Sequence, residues 1–250
     1  MELPFHIQME GPYRFIDEGP RATSPPILLL HGMLGNVGNW SATAATLLDQ
    51  GYRIVIPLLP VYGLALSKTS VPGLVEYVHG FSQELQLGRA VVAGNSLGGH
   101  VALLYALTYP DDVAALVLSG SSGIYEVELG TSTPRRRDRA FIRERAALTF
   151  FDPVHATDEI VDEMHELLGD RARVARLIKM ARSTKAETLT DRLHEIKQPT
   201  LLIWGRNDRI TPPDVAYQFK DSIPRAKLHF IDQCGHAPMV ERPREFNRLM

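Results

Sequence analysis

The run RAVVAGNSLGGHVALLYALTYP, residues 89–110, sets Ser96 among Gly94, Gly98 and Gly99, between an apolar stretch of strand length and a helical pattern that Pro110 ends. A glycine-rich joint from strand to helix either cradles phosphate on backbone N–H groups or holds a nucleophile on a sharp, exposed turn. Phosphate binding needs GxxxxGK[ST] or GxGxxG, and GNSLGGH has neither the lysine nor the spacing. G-x-S-x-G is satisfied by Gly94, Asn95, Ser96, Leu97 and Gly98. A serine hydroxyl is a weak nucleophile, so this turn predicts an imidazole to take its proton and a third group to orient that imidazole.

Of nine histidines, His236 in QCGHAP follows the last apolar strand run, on a loop expected at the same sheet edge as Ser96. Asp208 in TLLIWGRNDRITPP ends the preceding strand run, and the order Ser96, Asp208, His236 matches the Ser, acid, His order expected of this strand-turn-helix architecture. Asp232 lies too close to His236 along the chain to be the first choice of acid. The run SGSSG after residues 113–120 offers no carboxylate. An oxyanion needs two backbone N–H donors. Leu97 supplies one, and Met33 in LLLHGMLGN, after the turn at His31-Gly32, supplies the other. Gly32, Asn39 and Trp40 are the expected substrate-binding residues around the entrance.

Two other chemistries are weaker. DEMHELL lacks the second histidine of a zinc-protease motif. Cys234, the single cysteine, is expected to be an inert, partly buried thiol. No metal or organic cofactor is expected.

Positioning these residues falls to near-continuous apolar runs at 25–32, 52–57, 89–94, 113–120, 200–205 and 226–232, which read as strands covered on both faces. Helical patterns lie between them, which gives an α/β fold. Two weaker strands, FHIQM and YRFID, are expected to pair antiparallel at one edge. The alternation breaks after Gly123, where DEIVDEMHELL and RVARLIKMA carry apolar residues at helical spacing. The predicted organisation is a core of 1–122 and 196–250 with a helical lid of 123–195. The arginine-rich run TPRRRDRAFIRER is followed by Asp158, Glu159, Asp162, Glu163 and Glu166, and so reads as paired or solvated helix faces.

At 250 residues, 44% hydrophobic, the chain can bury one large core. A net charge of −2 gives no reason to expect nucleic acid as partner. With one cysteine, no basic leader and no long apolar run, a cytoplasmic protein without membrane insertion is expected. The expected partner is a small-molecule ester or oxo-acid substrate, and a homo-oligomer is compatible with the sequence.

With HGMLG, GNSLGG, WGRNDRITP and CGHAP in order, the chain resembles the α/β-hydrolase superfamily. The resemblance implies a mostly parallel eight-stranded sheet, a helical lid after the sixth strand, and the roles given above to Ser96, Asp208, His236, Met33 and Leu97. The C-terminal motifs look like those of the meta-cleavage-product hydrolases, which cut carbon–carbon bonds. HGMLGNVGNW looks more like the oxyanion loop of small carboxylesterases, and Ala237 stands where the carbon–carbon hydrolases usually have tryptophan. The expectation is a serine-dependent ester hydrolase, with carbon–carbon hydrolysis second and a ligand receptor of this fold third.

Overall fold

Alternate residues of one short strand divide between two cores. In β3 (Ile27–Leu30) all four side chains are buried, Ile27 and Leu29 on one face of the sheet and Leu28 and Leu30 on the other. Period-two geometry makes this unavoidable for an apolar strand inside a sheet covered on both sides. The computed structural model describes residues 5–21, 25–127 and 137–250.

The other strands are β1 (Gln8–Glu10), β2 (Tyr13–Glu18), β4 (Ile54–Pro57), β5 (Ala90–Asn95), β6 (Val113–Ser119), β7 (Thr200–Gly205) and β8 (Ala226–Ile231). Together they form one eight-stranded sheet in the order β1-β2-β4-β3-β5-β6-β7-β8. From β4 to β8 every pairing is parallel, while β2 runs antiparallel to both β1 and β4. The ends of β3, β5, β6, β7 and β8 therefore open at one edge. This is the mostly parallel eight-stranded sheet expected from the sequence.

One core gathers side chains of α2 (Val71–Glu84), α3 (Leu97–Thr108) and α7 (Pro213–Ser222). The opposite core gathers those of α1 (Ser41–Asp49), α8 (Pro238–Glu241) and α9 (Pro243–Leu249). From Leu97 to Ala106 every residue of α3 is buried, as an apolar circumference requires.

Between β6 and β7 the described insertion holds α4 (Arg139–Ala147), α5 (Asp158–Gly169) and α6 (Arg171–Ala186). Asp138, Thr157 and Asp170 cap their N-termini by accepting main-chain N–H groups, which explains where each helix begins. Val161, Leu167 and Met180 are buried, whereas Ile178 stays 42% exposed. Arg139 pairs with Asp158 and Asp162, and Arg143 with Asp158. The arginine-rich run thus pairs with the acidic helix, as read above; its residues Thr133–Arg136 lie outside the described residues. No helix among the described residues is long and apolar enough to cross a membrane.

The antiparallel edge is pinned by a bidentate pair. Arg53 donates to both oxygens of Asp17, at 2.8 and 2.7 Å, with the two side chains 11% and 7% exposed. Asp17→Ala leaves the guanidinium sheltered without its counter-charge, and is expected to cost about 3 kcal/mol in a urea unfolding titration.

Candidate active site

Ser96 follows β5 and precedes α3 with φ 55° and ψ −120°, a left-handed-side conformation that costs a non-glycine residue about 1–3 kcal/mol. Close packing imposes it. A methyl group on Gly94 would overlap the carbonyl of Gly98, one on Gly98 would overlap the carbonyls of Leu30 and His31, and one on Gly99 would overlap the Ser121 side chain. The Ser96 N–H donates to Ser119 O at 3.1 Å, and Ser96 O accepts from Ser122 N at 3.2 Å. The turn is held from both sides.

Asp208 lies beyond β7, 3% exposed. Its Oδ1 accepts from Ile210 N (2.8 Å) and Thr211 N (3.0 Å), and its Oδ2 from the Thr211 hydroxyl (2.9 Å). His236 Nδ1 stands 2.8 Å from the same Oδ2. Facing an oxygen that can only accept, Nδ1 carries the proton, so Nε2 of the neutral ring keeps a free lone pair. Burial opposes charge on His236. The charge and hydrogen bond of Asp208, with the more distant Glu126, outweigh it and hold the imidazole pKa above its ordinary value.

The His236 loop and the serine turn share anchors. Asn95 Nδ2 donates to His236 O and to Ser119 O, both at 2.9 Å. A Cβ on Gly120 would stand 2.8 Å from His236 Nδ1, so the end of β6 lies against the imidazole. A Cβ on Gly32 would stand 3.3 Å from Ser96 Cβ, which brings the Gly32–Gly35 turn over the serine.

In that turn Gly35 N donates to Gly32 O at 3.2 Å, so the Met33 amide is not the donor that closes it. The Tyr62 hydroxyl donates to Met33 O at 2.5 Å and fixes the peptide from behind. Leu97 is the first residue of α3, where main-chain N–H groups have no intrahelical acceptor. His31 Nε2 accepts from Leu59 N at 3.0 Å while Nδ1 donates to Gly32 O at 2.9 Å. Burial lowers the His31 pKa and keeps it a neutral brace.

Ser96, Asp208, His236, Gly32, Met33 and Leu97 therefore gather at the edge. Asn39 lies against the Gly32–Gly35 turn, where a Cβ on Gly35 would overlap its Oδ1, whereas Trp40 is turned away from the edge. Asn36 and Asn39 cap the short 3-10 turn Val37–Trp40 reciprocally, with Asn39 Oδ1 accepting from Asn36 N at 2.7 Å. Trp40 is fully buried, its ring 6.0 Å from that of Phe246. That turn points the indole into the core, which residue type alone does not reveal. Thr211 and Tyr62 were missed. For Thr211 a signal existed, since Asp followed three residues later by a hydroxyl is a local turn motif. Tyr62 lies 29 positions from its partner and gave none. Cys234 is fully buried, with its thiol pKa pushed up by burial first and by Glu241 second.

Residues 27–249 match the model of the alpha/beta hydrolase family, and the chain belongs to that family as a hydrolytic enzyme. It is 29% identical to the 2-hydroxy-6-oxononadienedioate/2-hydroxy-6-oxononatrienedioate hydrolase of Cupriavidus pinatubonensis, over 92% of this chain and 86% of that protein. An alpha/beta hydrolase enzyme from the sediment metagenome of the Mar Chica lagoon, Morocco, superposes with a TM-score of 0.80 at 35% identity, covering 98% of this chain and 95% of the other. A membrane phospholipase A, described as a bacterial virulence factor, superposes with a TM-score of 0.79 at 26% identity, over 98% and 84%.

Because rigid backbone surrounds Gly98, Gly98→Ala is expected to destabilise the fold by about 2 kcal/mol and to distort the serine turn. Unfolding curves measured with activity per folded molecule check both effects; unchanged values in both would show that α3 can retreat from β3.

Proposed function

We propose that this hydrolase cleaves carboxylic esters of small to medium acyl groups through an acyl-enzyme on Ser96. The observation that carries the reading is the Asp208–His236 hydrogen bond beside a serine held at positive φ. In the proposed cycle His236 Nε2 takes the Ser96 proton as Oγ adds to the ester carbonyl carbon. The oxyanion is received by the N–H groups of Leu97 and Met33. Collapse expels the alcohol, which takes the proton from His236, and a water activated by the same imidazole then releases the acid.

A small-molecule substrate is supported by the names of the relatives. Residues 123–195 are proposed as a lid over this edge, on the core of 1–122 and 196–250. Three contacts of α6 with the 64–71 segment support it, since Arg176 reaches Leu64 O, Lys179 reaches Leu66 O, and Ser183 Oγ accepts from Val71 N. Asn36, beside the Met33 turn, donates to Glu163 of α5.

Carbon–carbon hydrolysis is the second reading, favoured by the dienedioate hydrolase relatives. That reaction needs donors for an anionic oxo-acid end, to hold the ketone that stabilises the departing carbanion. Two candidate donors near this edge are spent elsewhere. Arg143 binds Ala156 O and Asp158, and the Asn95 NH₂ group donates to Ser119 O and His236 O. Ester cleavage asks for no such donor.

Ser96→Ala and Asp208→Asn are each expected to lower kcat about 10⁴-fold or more with the fold intact, and an organophosphonate should label Ser96 alone. Labelling of Cys234 instead would sink the assignment. A series of aryl esters run beside a 2-hydroxy-6-oxo-dienoate separates the two readings, and a hundredfold dienoate preference in kcat/KM would reverse them.

The base must be neutral to act, and its pKa is raised in the folded protein. Activity is therefore expected to fall on acidification at a pH above the ordinary histidine value of 6.5. An acid limb of kcat/KM below that value would contradict the pairing with Asp208.

A further inference from the structure

Glu241 closes α8, five residues beyond His236, and its side chain is folded back into the protein at 6% exposure. Oε2 accepts from Gly235 N at 2.6 Å and from Phe151 N at 3.1 Å, and Oε1 accepts from Asp152 N at 2.7 Å. One carboxylate thus gathers three main-chain donors from two segments distant in sequence. The first is the peptide just before His236. The other two follow α4, where the insertion leaves its first described helix.

Other contacts run through the same place. His236 N donates to Thr149 O at 2.7 Å, and a Cβ on Gly235 would stand 2.5 Å from Thr149 O and 2.8 Å from Phe150 C. The histidine loop and the 149–152 segment touch main chain to main chain. Each end of His236 is therefore held from outside its loop: its N–H by Thr149, its carbonyl by Asn95 and its ring by Asp208. Glu241 ties the preceding peptide to the insertion.

We infer that Glu241 is a positioning residue for His236, clasping the peptide of the base to the root of the insertion so that core and insertion together set the aim of the imidazole. This rests on the reading of His236 as the base. Aim is costly to lose, since a misplacement of about 1 Å in a reacting group lowers turnover on the order of 10²-fold. Glutamine is nearly the same size but cannot substitute. Both carboxylate oxygens face N–H donors, so in either amide orientation an NH₂ group meets a main-chain N–H.

The charged and polar groups around the imidazole are Asp208 and Thr211 beyond β7 and Glu126 beyond β6; around Glu241 stand Cys234 and Arg242. A loosened Asp208 contact favours neutral His236. Glu241→Gln should therefore move the acid limb of kcat/KM to lower pH while it lowers kcat.

The test uses the full-length protein on a soluble aryl ester, with active sites counted by phosphonate titration. Glu241→Gln is expected to lower kcat per titrated site about 10- to 100-fold, to change KM less than about threefold, and to shift the acid limb downward. Glu241→Asp keeps the carboxylate acceptors but falls one methylene short, and should recover kcat and the acid limb only in part. If the glutamine variant does not accumulate as folded protein, the aspartate variant carries the same measurement of kcat per site. A merely structural role would reduce the number of titratable sites and leave kcat per site and the acid limb unmoved, which overturns the inference. Ser96→Ala and His236→Ala run alongside: wild-type turnover in either overturns the site reading and the clasp together, whereas two dead controls beside an unaltered Glu241→Gln overturn the clasp alone.

Discussion

The first turn of α3 lies so close to the ends of β3 and β5 that no side chain fits at Gly94 or Gly98. This approach leaves the chain one way to pass from β5 into the helix, through a residue at positive φ, and Ser96 occupies it. The unfavourable backbone conformation persists because the buried helix over-determines it. Neighbouring strand ends then inherit their positions from the same packing. Ser119 receives the Ser96 amide, Gly32 sits over the serine, and Gly120 lies against the imidazole.

Around this fixed turn, polar groups are arranged so that each has one sensible proton assignment. Asp208 is filled by two main-chain amides and the Thr211 hydroxyl before His236 reaches it, so the carboxylate has little freedom to rotate. His31 donates from one nitrogen and accepts at the other, which makes it a spacer between the Gly32 turn and Leu59. Two histidines near one serine thus differ in kind. One faces a carboxylate and keeps a raised pKa; the other faces amides and carbonyls and stays neutral.

Much of this was legible in the chain because it is local. The strand runs and the elbow each depend on residues within a few positions of one another, and the sheet brings Ser96, Asp208 and His236, far apart in the chain, to one edge. That the Leu97 N–H has no intrahelical acceptor follows from helix geometry alone. Orientation was not legible. Trp40 lies near the Gly32 turn in sequence, but a 3-10 turn, with the Asn39 carbonyl oxygen as cap acceptor, sends the indole toward Phe246. Nor were long-range braces legible, such as Tyr62 to Met33 or Glu241 to Phe151 and Asp152, because the chain does not mark which distant amides will need an acceptor.

Cys234 sits two residues before His236, fully buried, and is the single cysteine of the chain. A thiol with a raised pKa and no access to solvent is silent toward alkylating reagents. It becomes reactive only when its own segment swings open. The rate at which this sulfur is alkylated under native conditions is therefore a built-in clock for the opening of the histidine loop, read without a label or a substitution.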